Sequence, residues 1–432
     1  MLRRIALVGT AALVMLVAGG VAGAISGDGP QRHRSSPAGP AGRVDPLVGV
    51  IDRAQERLRV VPGDWTTWAA LGVAYLERAR VTADPALYPK AEGALRESLR
   101  LRPSGNDAAL TGLGAVANAR HDFAVARGRA LAALKINPYS AAAVGVLVDA
   151  HTQLGEADAA TAAAQRMLDL RPGLPAYARA AYDLEQHGQL GRAEELWRRA
   201  LDGATAPADI ASARSGLGDL AWHAGDLPGA AAHYAAGLAA SPGDLPLAVG
   251  RARVSAATGE GLDRWAELVR RLPSPGLLIE YAWWLRAADR PAEASVVLEQ
   301  AAAALDLFTA NGGVDDLTAA ELAIARGDAG SAVRSAAREW GRRRFADVAD
   351  TLGWALHLAG RDREALTYAR LADAPGAHDA ARAYHLGMIE LALGDRDGAR
   401  RDLARAVAYN PHFSPVDGPL AVRALHGLGG AP

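Results

Sequence analysis

The chain has 432 residues, 22% of them charged, and a formal net charge of −1, so no global basic signature points to nucleic acid. Cysteine is absent, which excludes disulfides, thiolate nucleophiles, Cys-ligated metal or iron–sulfur centres and the lipidation site of a lipoprotein. Aromatic residues make up 5% and β-branched runs are short, which disfavours a large sheet. Lysine occurs only at Lys90 and Lys135, and arginine carries nearly all the positive charge.

The first predicted element is apolar. Arg3 and Arg4 precede an uncharged stretch from Ile5 to Ile25, long enough to span a bilayer, and Ala22–Ala24 supply small residues suited to cleavage. Residues 1–25 therefore read either as a signal peptide cleaved near Ala24 or as a membrane anchor with a cytoplasmic N-terminus. Both place the rest of the protein outside the cytoplasm, and the retained anchor would tie it to the membrane. Residues 26–43, "SGDGPQRHRSSPAGPAGR", are rich in Gly, Pro and Ser and read as a flexible linker. In residues 44–63, Val50, Ala54 and Leu58 have helical spacing and Pro62 follows, as in the second half of a helix pair.

From residue 64 to 411 one skeleton recurs. Gly394, Ala399 and Pro411 are spaced as are Gly225, Ala230 and Pro242, and as are Gly155, Ala160 and Pro172. Successive glycines at 155, 188, 225, 259, 327, 360 and 394 mark a period of about 34 residues, with Asp289 standing in the one double-length gap. Each period predicts two helices. The glycine ends the first by entering the left-handed region, and the acidic residue after it suits the start of the second. Small residues at i, i+4 and i+7 form the seam between them, as in Ala399, Leu403 and Ala406. Proline closes the unit, because it lacks an N–H and disfavours helix in the preceding residue.

The sequence "WAALGVAY" (Trp68, Leu71, Gly72, Tyr75) is followed by Ala91, Leu95 and Pro103. Further units carry Leu113, Gly114, Ala126 and Pro138; Leu217, Gly218, Tyr234 and Pro242; and Leu386, Gly387, Ala399 and Pro411. In these positions the chain resembles the tetratricopeptide repeat (TPR) family. The resemblance implies an all-α fold, a right-handed superhelical solenoid of about ten helix–turn–helix units over residues 64–411, with 412–432 as cap and tail. The unit over Leu245–Pro273 is a few residues short, with Trp265 at its second-helix aromatic position.

No phosphate loop, HExxH, GxSxG or GxGxxG motif is present, and the eleven histidines are dispersed, so neither cofactor, metal nor enzymatic activity is expected. In TPR proteins the stripe at positions 5, 9 and 12 of each first helix lines a concave groove that takes peptides. Transferred to this chain, the stripe gives Asp149, Tyr182, Glu185, Asp219, Trp222, Trp283, Arg286, Trp354 and His357 as groove candidates. Large aromatics there suit peptide contact, because they bury much area with few rotatable bonds. In a tightly wound superhelix the same positions pack against the neighbouring repeat. The acids suit a basic or hydroxyl-rich partner, and equally a solvated helix face.

The Lys and Asn that mark chaperone-tail clamps in TPR proteins are replaced here by Ala69 and Val73. The order of apolar segment, linker and repeats resembles the TPR part of cytochrome c maturation proteins, although no haem-attachment motif is possible without cysteine. The expectation is a non-catalytic interaction scaffold outside the cytoplasm, holding a protein or peptide of unknown identity. Two other readings stand beside it: an enzyme or small-ligand binder built from dispersed groove residues, and a structural spacer or oligomerisation module.

Overall fold

In the computed structural model, residues 46–374 and 376–429 are described, and the expected export segment and linker lie outside them. Twenty-two helices form, with no strand among the described residues. Helix α1 (Pro46–Val60) stands alone at the start. Ten pairs follow. They are α2 (Trp65–Thr82) with α3 (Leu87–Leu101), α4 (Asp107–Ala119) with α5 (Phe123–Ile136), α6 (Ala141–Leu154) with α7 (Ala157–Leu170), and α8 (Leu174–Gln186) with α9 (Leu190–Asp202). Next come α10 (Pro207–His223) with α11 (Leu227–Ala240), α12 (Leu245–Ala257) with α13 (Leu262–Arg271), and α14 (Pro275–Ala287) with α15 (Pro291–Ala310). The last are α16 (Asp316–Arg326) with α17 (Ala329–Arg342), α18 (Ala346–Leu358) with α19 (Asp362–Asp373), and α20 (Ala380–Ala392) with α21 (Arg396–Tyr409). Helix α22 (Asp417–Gly427) ends the array.

The local chemistry works as the residues dictate. Asp226, Asp328 and Asp395 each cap a second helix, accepting the N–H of Gly229, Ser331 and Gly398 at 2.9 Å. The glycines before them have φ of 73°, 77° and 85°. Three units place other residues in that left-handed slot, Ala83 at φ 49°, His121 at φ 61° and Asp289 at φ 59°. Within a pair the crossing is close: a Cβ on Gly218 would lie 2.4 Å from the Tyr234 ring. Ala91, Ala126, Ala160, Ala193, Ala230, Ala294, Ala332, Ala365 and Ala399 mark the same buried position in nine second helices, and all are at most 2% exposed. The short unit is filled instead by Trp265, fully buried and stacked 6.4 Å from Tyr281.

Successive first helices touch one another, whereas second helices fan apart, so the first helices line the inner wall. The curvature carries the chain back onto itself. The turn inside a pair meets the loop after a pair that lies some 190 residues further on, at four places in regular order. Val314 N–H donates to the Arg120 carbonyl at 3.0 Å, and Phe308, in the long α15, packs on His121 at 5.3 Å. Arg344 N–H donates to the Leu154 carbonyl at 3.3 Å, and the Arg343 guanidinium bonds Gln153 and lies over the Phe123 ring at 5.1 Å. Arg382 reaches Gln186 at 3.5 Å. Asn410 Nδ2 donates to the Trp222 carbonyl at 2.8 Å. Gly155 and Gly188 sit in this clasp with φ of 77° and 68°, and a Cβ on either would lie 2.2 or 2.3 Å from the carbonyl of Arg344 or Gly376.

Candidate functional site

The inner wall is built from the first helices, and its polar residues pair from one unit to the next. Asp149 on α6 takes a bidentate bond from Arg179 on α8, at 2.8 Å for both contacts. Arg253 on α12 binds Glu280 on α14 in the same way, at 2.6 and 2.7 Å. On α18 and α20, Asp350 faces His385 Nδ1 at 2.7 Å, and Arg382 pairs with Asp347. These links tie neighbouring units at the level of charge. Asp219 accepts the Tyr234 hydroxyl at 2.8 Å, and burial raises its carboxyl above the ordinary range.

Glu185, like Trp283 and Trp354, has a buried polar atom without a hydrogen-bond partner, its Oε1. It is buried, 3.9 Å from His223, with Asp219 nearby. Burial first and the Asp219 charge second push Glu185 up to about 8, against a smaller opposing pull from the Trp197 indole. Its carboxyl therefore keeps its proton at neutral pH. His223 is half-exposed, yet its surroundings pull it below the ordinary imidazole value through desolvation, more than Asp219 and Asp379 raise it. His378, from the second turn of the superhelix, faces the same cluster and is also lowered, by desolvation first and His223 second. The His378 ring itself packs on Tyr409, 3.6 Å between centroids.

The three stripe tryptophans do not present free faces. Trp222 is 7% exposed and packs with Tyr234 and Leu238. Trp283 is 2% exposed beneath the Arg286 guanidinium, 4.9 Å from the ring. Trp354 is fully buried, stacked on His385 at 4.4 Å with Tyr384 and His357 on other sides. All three are packed in the interior here, and Trp354 packs against α20 of the neighbouring unit. The physical reason is the tight inward crowding of the first helices, which turns a groove stripe into an inter-repeat seam.

Tyr182, Arg286 and His357 stay partly accessible, His357 held by Asp362 at 2.5 Å. Tyr182 looks across the clasp toward Asp347 and Arg382, and burial pushes its hydroxyl up. The candidates are therefore strung along the wall: Glu185 and Asp219 share one cluster, Trp283 and Arg286 another, Trp354 and His357 a third. No group of three or more His, Asp or Glu is placed to hold a metal among the described residues. The stripe alone did not pick out Arg179, Arg253, Glu280, Arg382 and His385. A search for opposite charges one unit apart would have found them, because Asp149 and Arg179 stand 30 residues apart and Asp350 and His385 stand 35 apart.

With ten pairs in one register, a left-handed residue ending each first helix, and alanine at nine of the ten crossings, the geometry is decided. The chain is an all-α solenoid of the TPR type. No family model and no curated protein matches this TPR-type chain. Solved structures do. A tetratricopeptide repeat protein from Parabacteroides merdae aligns at 18% identity and TM-score 0.41, covering 58% of this chain and 97% of its own. A thermophilic TPR protein of Thermus thermophilus aligns at 22% and 0.39, covering 44% and 98%. A human IFIT1 dimer with m7Gppp-AAAA aligns at 15% and 0.47, covering 76% of each chain. None of these supplies a site to this solenoid; its wall is described from its own residues.

Proposed function

We propose that this protein is a non-catalytic interaction scaffold working outside the cytoplasm, an assembly or maturation factor of the cell envelope that holds a partner protein along its inner wall. The observation that carries the reading is the wall itself. Residues from successive units, with side-chain pairs joining α6 to α8 and α12 to α14, place Tyr182, His223, Arg286 and His357 in sequence on one frame. The clasp between the two turns stiffens that frame, so a partner meets a surface already shaped, which lowers the ordering cost of binding. The tryptophans set the spacing of the wall and the accessible polar groups make the contact. Export rests on the uncharged segment from Ile5 to Ile25 behind Arg3 and Arg4. No helix among the described residues is long and apolar enough to cross a membrane, and the segment 5–25 lies outside them.

A photo-crosslinking amino acid placed at His357 or Tyr182 in intact cells tests this. The expected result is one recurring partner from both wall sites, none from a control at Arg166 on the outer face, and loss of the product in Arg286→Glu. Equal crosslinking from the outer control, or turnover of a substrate by the purified protein, overturns it. The mature N-terminus, read by mass spectrometry, decides between cleavage near Ala24 and a retained anchor.

A further inference from the structure

At the start of the array, α1 and α3 splay over α2 and leave an outward-facing groove of about 430 Å³ between them. Its floor is Trp68, Leu71 and Tyr75 of α2, and its polar rim is Gln55, Arg59 and Lys90. Both aromatics are half-buried and held by their polar tips: Gln55 Nε2 donates to the Tyr75 hydroxyl at 2.7 Å, and the Trp68 indole N–H donates to the Pro62 carbonyl at 2.9 Å. The ring faces are thus fixed in position before anything binds. Lys90 is exposed and makes no hydrogen bond or ion pair among the described residues, and Arg59 has only the exposed pair with Glu56 one turn away on its own helix. No acidic residue lines the groove.

A stiff aromatic floor under a positive rim fits an anion with an apolar body. The groove runs between two helices and is open along its length, which suits a chain segment laid into it. We infer that this outer groove takes a segment of a partner protein in which Asp or Glu stands beside aromatic or aliphatic side chains. The protein's own leading segment has the wrong sign, since residues 1–45 carry Arg3, Arg4, Arg32, Arg34 and Arg43 against Asp28 and Asp45. Two rim cations with a near-neutral chain do not make the extended basic track that a nucleic-acid strand needs. The inference does not rest on the inner-wall reading, because the two surfaces share no residue.

Fluorescence anisotropy on the full chain tests it with three labelled probes: a twelve-residue peptide alternating Glu with Leu and Phe, the same peptide with Lys for Glu, and oligo(dT). The acidic peptide binds, the lysine peptide binds at least ~10-fold more weakly, and Lys90→Glu removes about the same factor from the acidic peptide. Arg59→Glu acts in the same direction, and Lys90→Arg restores binding. Both rim residues are exposed, so these variants keep the fold, which circular dichroism checks. Equal binding of both peptides, an unchanged affinity in Lys90→Glu, or tighter binding of oligo(dT) overturns the inference. Wall crosslinks at His357 stay intact in Lys90→Glu, which separates failure here from failure of the proposed function.

Discussion

The inner wall and the outer groove at α1–α3 are both lined by tryptophan, and they have opposite fates. On the wall, Trp354 and Trp283 are buried, and charged groups such as Asp149 with Arg179 and Arg253 with Glu280 pair from one unit to the next. In the outer groove, Trp68 and Tyr75 remain half-exposed and Lys90 stands without a partner. Curvature makes the difference. First helices converge on the inside of the superhelix and bury what lies between them, while second helices diverge on the outside and leave gaps. A large aromatic on the concave side of such an array is consequently a spacer first, and one on the convex side retains area to offer.

The largest effect that tests this contrast comes from Trp354→Ala. Removing a fully buried indole costs about 4 kcal/mol, read by chemical denaturation, whereas Trp68→Ala costs about half as much. Equal losses for the two would break the comparison. The clasp comes next. Gly155→Ala places a methyl 2.2 Å from the Arg344 carbonyl at positive φ, and an expected loss of about 3 kcal/mol combines the clash with backbone strain. Gly394→Ala has positive φ and nothing within 4 Å, so it isolates the strain at about 1 kcal/mol. Similar losses at both positions would show that the second turn does not touch the first.

Acid–base chemistry sharpens the picture of the wall. Glu185 binds a proton more tightly folded than unfolded, with a folded value of about 8. Stability therefore falls as pH rises from the ordinary carboxyl range, and levels off once pH passes about 8. Glu185→Gln removes that slope and is more stable than the parent at pH 9, by ~2 kcal/mol. His223 and His378 have the opposite sign. Their lowered values favour the neutral rings in the folded state, so their contribution is complete above the ordinary imidazole range and is lost as pH falls through it. A double change to Gln flattens the acid limb of a melting-temperature profile; an unchanged limb would show that folding does not lower the two imidazoles. The smallest effect is Lys90→Ala, which changes stability by less than about 0.5 kcal/mol, because the side chain is exposed on the groove rim and makes no hydrogen bond or ion pair among the described residues.

The sequence shows the repeat because its signals are local: a left-handed glycine, an acidic cap and a closing proline each act within one turn of chain. Register follows from them, and the first-helix positions it assigns to Asp219, Trp283 and Trp354 are buried, with Asp149 paired to the next unit. Whether a stripe is open or closed depends on curvature summed over many units, and no single unit encodes it. The clasp was invisible for a related reason. It joins residues about 190 positions apart through Gln153, Gln186 and Asn410, residue types that also serve as ordinary solvated polar groups. The outer groove was hidden because Trp68 occupies a packing position of the repeat; only the splay of the leading helix uncovers its ring.

The return of the chain onto itself underlies the stiff wall. Because the chain has no cysteine, spin labels can be placed at will, and electron-spin distance measurement between Ala157→Cys and Arg344→Cys, exposed positions beside the clasp, reads it directly. A single short, narrow distance distribution, broadened by Gly155→Val, is the predicted result. A long and broad distribution in the parent protein would mean an open solenoid, and would contradict the account.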